Sequence, residues 1–425
     1  MDWPGYNKIA AGVFGVSMLV SVGLEQVWIG VAIMLPVIWG AIFVVYRKPL
    51  GACWREPVLN RPVLSLQSDL WGAGPLTQVA ALQALASTLN GVRDQAGRPA
   101  VISLGLLLEI PETPFLAPAW RMVSLADPRF AALRETLASG VGQRVFSMQL
   151  NGGAPGWPES LRAAADRDER VAAWLSTPDF PAIEALPLAM RSRWLDASQL
   201  PSRAHDAERT YTAAQAEVEL YRQIFGHWPR VVAPDTGVWN EMVESGWATA
   251  GVEVIVTSGC RYAALNKNGQ LEASLNCIFP GQLSEAGQIY LVKEAWGQPV
   301  GADAPDRLVN AVLARYQQGR PCLMDVPREI FLAPGGDPGP ALETLTQALR
   351  LVRARCPELR FLASWEIANL YRNLPAEWMA RRLGDRFAVW LRRIHSLRGF
   401  RLASRASGLA LIQAMLRRVF PGPAC

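Results

Sequence analysis

Histidine is scarce in this chain: its 425 residues include three, His205, His227 and His395, set far apart. A zinc site built on imidazole draws two or three of them together, commonly as a close local pair. No such pair exists, so the usual histidine-based metal motifs are excluded. The six cysteines, Cys53, Cys260, Cys277, Cys322, Cys356 and Cys425, show no Cys-x-x-Cys spacing and no Cys/His cluster. That excludes zinc ribbons and thioredoxin-like redox motifs, and the cysteines read as buried thiols in a reducing compartment. Charge is thin as well, at 19% of residues against about 25% in average soluble chains. The net charge of +5 is modest, and the basic excess gathers at the C-terminus instead of forming a broad basic face. No nucleic-acid partner is expected. No internal repeat is visible at a fixed period.

Apolar residues are plentiful, at 50%. Two uncharged stretches, residues 9–24 and 27–46, open the chain, separated by Glu25 and Gln26. A spanning helix needs about 20 apolar residues. The second stretch meets this length; the first is shorter and rich in Gly and Ser, with Ala11 and Gly15 suited to close helix packing. Residues 1–50 therefore read as a transmembrane helical hairpin, kinked at Pro36. A cleaved signal peptide is disfavoured, because a second apolar run follows the first at once. Lys8 precedes the hairpin, Arg47, Lys48, Arg55 and Arg61 follow it, and the connecting loop has no basic residue. This bias places both ends inside, with the main domain on the cytoplasmic face of a bacterial inner membrane.

From residue 57 to 373, short apolar runs alternate with amphipathic segments. Strands are expected at 62–67, 100–108, 144–150, 231–233, 253–257 and 322–324. Helices are expected at 76–89, 206–225, 240–250, 305–317 and 340–353, with Asp206 as a cap. Such alternation predicts a parallel sheet with crossover helices. Chemistry then belongs to the C-terminal ends of the strands. Those ends carry Asp69 and Trp71, Asn151, Pro234 and Asp235, and Asp325 and Arg328.

These strand ends bear motifs in a familiar order: LSLQSDLWG at 64–72, DQAGRPAV at 94–101, FSMQLNGGAPGWPESL at 146–161, FGHWPRVVAPDTGVWN at 225–240, VIVTSG at 254–259 and RFLASWEIANLY at 360–371. Together they resemble polysaccharide deacetylases of the NodB-like type. The resemblance implies a distorted (β/α) barrel over residues 57–373, preceded by the hairpin and followed by basic helices over 376–425. It also implies a divalent metal held by one Asp and two His, with a neighbouring Asp as general base. Carried over, the base position is Asp69. The three ligand positions hold Leu70, Asn151 and Pro155, and a late His position falls near Pro327. Leu and Pro offer no ligand atom and Asn is a poor one, so no metal and no cofactor are expected. His205 is a remote candidate for recruitment.

Two main readings follow. A catalytically degenerate barrel would bind a polysaccharide or lipid-linked glycan, or membrane components of a polysaccharide synthesis system, in exopolysaccharide biosynthesis. Trp71, Trp157, Trp239 and Trp296 are the candidate sugar platforms. Alternatively, Asp69, Asp235, Glu294 and Asp325 converge as a metal-independent glycan hydrolase. An active deacetylase with an unrecognised metal site is a third reading. The tail adds ten arginines between residues 377 and 418 against Glu377 and Asp385. Apolar residues lie among them, as in amphipathic helices that rest on anionic membrane lipids.

Overall fold

The computed structural model describes residues 34–114, 121–272, 278–297, 301–332 and 338–423, which group into two units. The larger unit, residues 56–382, is built on parallel strands: β1 (Val63–Gly72), β2 (Ile102–Leu107), β3 (Phe146–Gly152), β4 (Val231–Val232), β5 (Val254–Thr257), β6 (Ile289–Val292), β7 (Glu294–Ala295) and β8 (Cys322–Asp325), with β9 (Arg360–Phe361) added to the start of β1. Hydrogen bonding runs β6-β5-β4-β3-β2-β1-β8-β7. The two ends of that path, β6 and β7, are consecutive in the chain with Lys293 between them. One segment thus pairs with β5 through its first half and with β8 through its second, and the sheet rolls nearly closed.

Helices α1 (Gln78–Asn90), α2 (Ala131–Gly142), α3 (Ala207–Phe225), α4 (Glu241–Thr249), α5 (Ala304–Gln317) and α6 (Gly339–Arg355) make the crossovers, and α7 (Ser364–Asn373) follows β9. Asp206 caps α3, its Oδ1 accepting from the Arg209 amide at 3.0 Å, so the first turn starts where the sequence signals it. Every residue of β2 is buried, as expected when a parallel sheet is covered on both faces.

Alternation along the strands sorts the interior. On β1, Leu64 and Leu66 belong to the large core cluster shared with the helices. Ser65 and Gln67 face the other way and bond one another at 2.8 Å. Gln149 and Ser364 extend this network to Gln67, at 3.2 and 3.0 Å. The remaining inward positions are apolar: Val231, Ala233, Val254, Val256, Ile289, Leu291 and Leu323 form a second cluster. The barrel is therefore filled with side chains, polar on its β1–β3 side and apolar on its β4–β8 side.

The smaller unit combines residues 34–55 with α8 (Leu383–Ser396), α9 (Arg398–Ala406) and α10 (Leu409–Val419). Leu50, Cys53, Leu391, Ile394, Phe400 and Leu409 form its core. Arg393 is fully buried and donates to the Cys53 carbonyl at 3.1 Å. The tail forms three helices. The first apolar stretch lies outside the described residues. Of the second, residues 34–45 are helical. Among the described residues no helix is long and apolar enough to cross a membrane, so the hairpin remains a reading of the sequence. The reading of six thiols is corrected: Cys260 and Cys322 are free thiols, but Cys356 is disulfide-bonded. Pairing depends on proximity in space, which sequence spacing does not report.

Candidate site at the barrel mouth

The alternation that places Ser65 and Gln67 inside also places Asp69 inside, one step nearer the C-terminal end. By the same period Asn151 follows Gln149 on β3, Asp235 follows Val231 and Ala233, Lys293 follows Ile289 and Leu291, and Asp325 follows Leu323. Five polar side chains from five strands therefore converge at the mouth.

Lys293 is their hub. Its Nζ donates to Asp69 Oδ2 and, at 3.0 Å, to Asp325 Oδ1. Burial alone would push the ammonium pKa down, but the charges of Asp69 and Asp325 outweigh burial and hold it above its ordinary value. The lysine is thus a fixed cation. Burial pushes Asp325 up despite the attraction of Lys293. Asp235 is pushed up to about 6, first by burial and then by the neighbouring charge of Asp69; Arg191 and Lys293 offset this only in part. Its Oδ2 is buried and has no hydrogen-bond partner among the described residues.

The backbone at Asp69 is distorted to suit. The pairing of β1 with β2 slips between Ser68 and Trp71, and Leu70 sits in the left-handed region at φ 67°. That conformation is unfavourable for a side-chain-bearing residue and is held by neighbours. The Leu70 amide donates to Asn151 Oδ1 at 3.3 Å, and its carbonyl accepts from Arg328. Asn151 Nδ2 donates in turn to the Ala233 carbonyl. Gly105 provides the seat for Asp69: a Cβ there would collide with Asp69 Oδ1. That oxygen is buried and lacks a hydrogen-bond donor among the described residues.

This donor set does not fit the metal that the resemblance implies. Leu70 and Pro155 have no ligand atom, and the Asn151 amide is spent on two backbone groups. Asp69 is engaged by an ammonium whose positive charge would repel a cation. His205 lies against Trp157, ring centroids 5.2 Å apart, and not among the mouth residues. Among the described residues no group of three or more His, Cys, Asp or Glu could hold a metal ion.

Several residues expected at the site have other employment. Trp71, Trp239 and Trp296 are buried. Their indole N–H groups donate to Ser68 Oγ at 2.8 Å, Glu244 Oε1 at 2.7 Å and the Ala304 carbonyl at 3.1 Å. Enclosed in this way, none has a face free for a sugar. Trp157 is half-buried, with the Arg193 and Arg209 guanidiniums 5.1 and 4.0 Å from its ring centre. Arg328 is buried and grips Glu184 through two bonds, at 2.9 and 2.5 Å. It braces the Leu70 bulge, which leaves it little freedom to meet a substrate. Glu294, one residue beyond Lys293, faces the helix layer and pairs with Arg315 of α5. Pro234 is buried beside Asp235. A cavity bounded by Leu70, Asn151, Pro155, Arg191, Pro234 and Asp235 measures about 20 Å³, room for about one water.

Sequence reasoning passed over Lys293, Glu184, Arg191 and Gly105. Lys293 alone carried a signal, since it shares the period-two face of Ile289 and Leu291.

No family model matches the chain, and no curated protein does. Solved structures do. A putative polysaccharide deacetylase from Mycobacterium smegmatis is 13% identical, covers 77% of this chain and 97% of its own, and gives a TM-score of 0.38. Peptidoglycan deacetylase PdaC from Bacillus subtilis is 10% identical, with 75% and 95% covered and a TM-score of 0.34. A 4-alpha-glucanotransferase from Thermococcus litoralis is 9% identical at a TM-score of 0.36; the match covers 73% of this chain but 40% of that one. Polysaccharide deacetylases are thus among the structures to which the chain is similar. At these scores the strand order, and not the likeness, defines the fold class.

Proposed function

We propose that this chain is a membrane-anchored protein with a deacetylase-type barrel that serves cell-surface polysaccharide biosynthesis by binding glycan or a partner protein, without metal-dependent deacetylation. One observation carries the reading: a buried ammonium, Lys293, is fixed between Asp69 and Asp325. The carboxylates that would orient a metal or a water are committed to a cation supplied by the chain. The water-sized cavity beside Asp235 supports the non-catalytic part of this reading, since a sugar ring does not fit in about 20 Å³.

The test is elemental analysis of the purified, dialysed protein, with acetate release from an acetylated oligosaccharide measured on the same sample. The expected result is neither metal nor acetate. A stoichiometric metal together with acetate release would overturn the reading.

A second reading, metal-independent proton transfer, draws on Asp235 and Asp69. Asp235 keeps its proton up to about pH 6, and Asp69 Oδ1 is an acceptor without a donor among the described residues. A carboxyl that holds its proton beside a carboxylate oxygen left open suits acid–base work. Hydrolysis of a glycan that is abolished by Asp235→Asn would favour this reading over the first.

Anchoring rests on residues 9–46, and the flanking arginines and lysines put the barrel on the cytoplasmic side. The disulfide at Cys356 pulls the other way, because such bonds persist in oxidising compartments. A reporter fused after Cys425 decides: activity in the cytoplasm supports the charge rule, and activity only in the periplasm reverses it. The tail contributes to membrane binding in this proposal. Leu411, Met415 and Val419 of α10 are exposed along one stripe with Arg417 and Arg418 beside them, the composition of a helix lying on anionic lipid.

A further inference from the structure

A cleft of about 820 Å³ opens at the end of the barrel opposite Lys293. Val101, Phe146 to Met148 and Pro229 to Val231 line it at the N-terminal ends of β2, β3 and β4, with Ala363, Trp365 and Glu366 at the start of α7. The volume is that of a small-molecule site.

Four arginines, Arg93, Arg98, Arg144 and Arg230, line the cleft against a single carboxylate, Glu366. Arg98 takes that carboxylate with two bonds of 2.6 Å. Arg230 is engaged with Glu253. Arg93 holds only neutral acceptors, Asn90 Oδ1 at 2.9 Å and the Gly97 carbonyl at 3.0 Å. The Arg144 guanidinium has no hydrogen-bond or ion-pair partner among the described residues; its backbone amide alone is engaged, donating to the Val141 carbonyl at 2.9 Å. Two guanidiniums are therefore uncompensated on one wall.

Two indoles stand at the cleft, Trp228 at 47% and Trp365 at 37% exposure. The guanidiniums of Arg222 and Arg230 back them, 5.1 and 5.2 Å from the ring centres. Tyr221 also lines the cleft. It is fully buried, yet its hydroxyl has no hydrogen-bond partner among the described residues. Burial pushes its pKa up, so it remains a neutral donor. An orphaned buried hydroxyl calls for an explanation, and a ligand atom is one.

We propose that this basal cleft binds an acidic saccharide. The C–H face of a sugar ring stacks on Trp228 or Trp365, its carboxylate is received by Arg144 and Arg93, and a ring hydroxyl meets Tyr221. Arginine forks match carboxylates, and indoles match the apolar faces of sugars. The inference rests on the glycan-binding reading but moves the glycan from the barrel mouth to its base.

The test is calorimetric titration of the full-length protein in detergent with trigalacturonate, with neutral cellotriose and ADP as comparisons. Trigalacturonate is expected to bind, with at least tenfold loss in Arg144→Ala and Trp228→Ala. Both positions are exposed, so these variants keep the fold. Tyr221→Phe, which removes only the hydroxyl, is expected to cost threefold or more. If trigalacturonate binds and the variants match the wild type, the cleft proposal falls and the glycan-binding reading stands. If neither saccharide binds, both fall. Equal affinity for cellotriose, or Arg144-dependent binding of ADP alone, also overturns the proposal.

Discussion

Replacing Lys293 by Met would leave Asp69 and Asp325 facing one another with no cation between them. At 3.0 Å and an effective dielectric of about 20, the lost attraction to Asp325 is about 5.5 kcal/mol, and part of it is offset by the desolvation of the lysine. Removing one partner of a buried ion pair costs about 3–5 kcal/mol. The Asp325 side chain is 30% exposed, so the lower end, about 3 kcal/mol, is expected. The variant should also acquire a pH dependence. Two adjacent carboxylates share a proton once the pH falls, so the deficit at pH 8 should shrink toward pH 5. The wild type has no matching loss on the alkaline side in this range. The lysine pKa is raised, so its contribution is intact below the unfolded value of about 10.4 and fades only as pH rises through the folded value. Urea unfolding of the full-length chain in detergent, followed by tryptophan fluorescence at both pH values, measures this. The double variant Lys293→Met/Asp69→Asn should recover part of the deficit at pH 8. A Lys293→Met variant within 1 kcal/mol of wild type at pH 8, or one equally destabilised at both pH values, would refute the role given to the ammonium.

Asp235→Asn should behave in the opposite sense. The folded chain holds the Asp235 proton up to about pH 6 and the unfolded chain to about 3.8. Between these values the native state binds the extra proton, so stability falls as pH rises. At about 1.4 kcal/mol per pH unit, the amide should stabilise the protein by about 2–3 kcal/mol at pH 7.5 and by little at pH 4, read from the same urea curves. Gly105→Ala places a methyl against Asp69 Oδ1 and should cost about 2 kcal/mol or more by strain at the bulge, again by urea unfolding; a neutral result would mean that Asp69 is not seated on β2. On α10, Leu411→Glu/Met415→Glu should weaken binding to vesicles containing anionic lipid at least tenfold in a flotation assay, leaving circular dichroism unchanged because both side chains are exposed. Unchanged flotation would remove that helix from the membrane reading.

The strands that the sequence announced are those with dense apolar runs. PVLSLQ, VISLGLLL and VFSMQL became β1, β2 and β3 within two or three residues, apart from the longer C-terminal end of β1. The capped α3 helix began one residue after Asp206. Apart from the two-residue β9, the strand that went unnoticed was the closing one, GQIYLVKEAWG. Its charged lysine and glutamate interrupt the apolar run, and its two halves pair with different neighbours. Within that segment the residue types favour Glu294, because a carboxylate looks more like chemistry than a lysine does. The period of two, counted from Ile289 and Leu291, selects Lys293 instead. Asp69, Asn151, Asp235 and Asp325 were legible because each closes a visible strand. The burial of Trp71, Trp239 and Trp296 was not, since a tryptophan at a strand end reads alike whether its ring turns toward solvent or toward a helix. Arg328 was misjudged for a similar reason: Glu184, its partner, lies 144 positions away, and nothing local marks the pair.

A bound metal ion can be chelated, exchanged for another or withheld by starvation, and a protein built round one is hostage to its supply. Lys293 reaches the mouth of this barrel with the strand that closes it, one per chain, and cannot dissociate. Organisms limited for zinc or other divalent ions would therefore still make this barrel with its central charge in place. On the proposal that the site takes no metal, the mouth would be complete as soon as the chain folds.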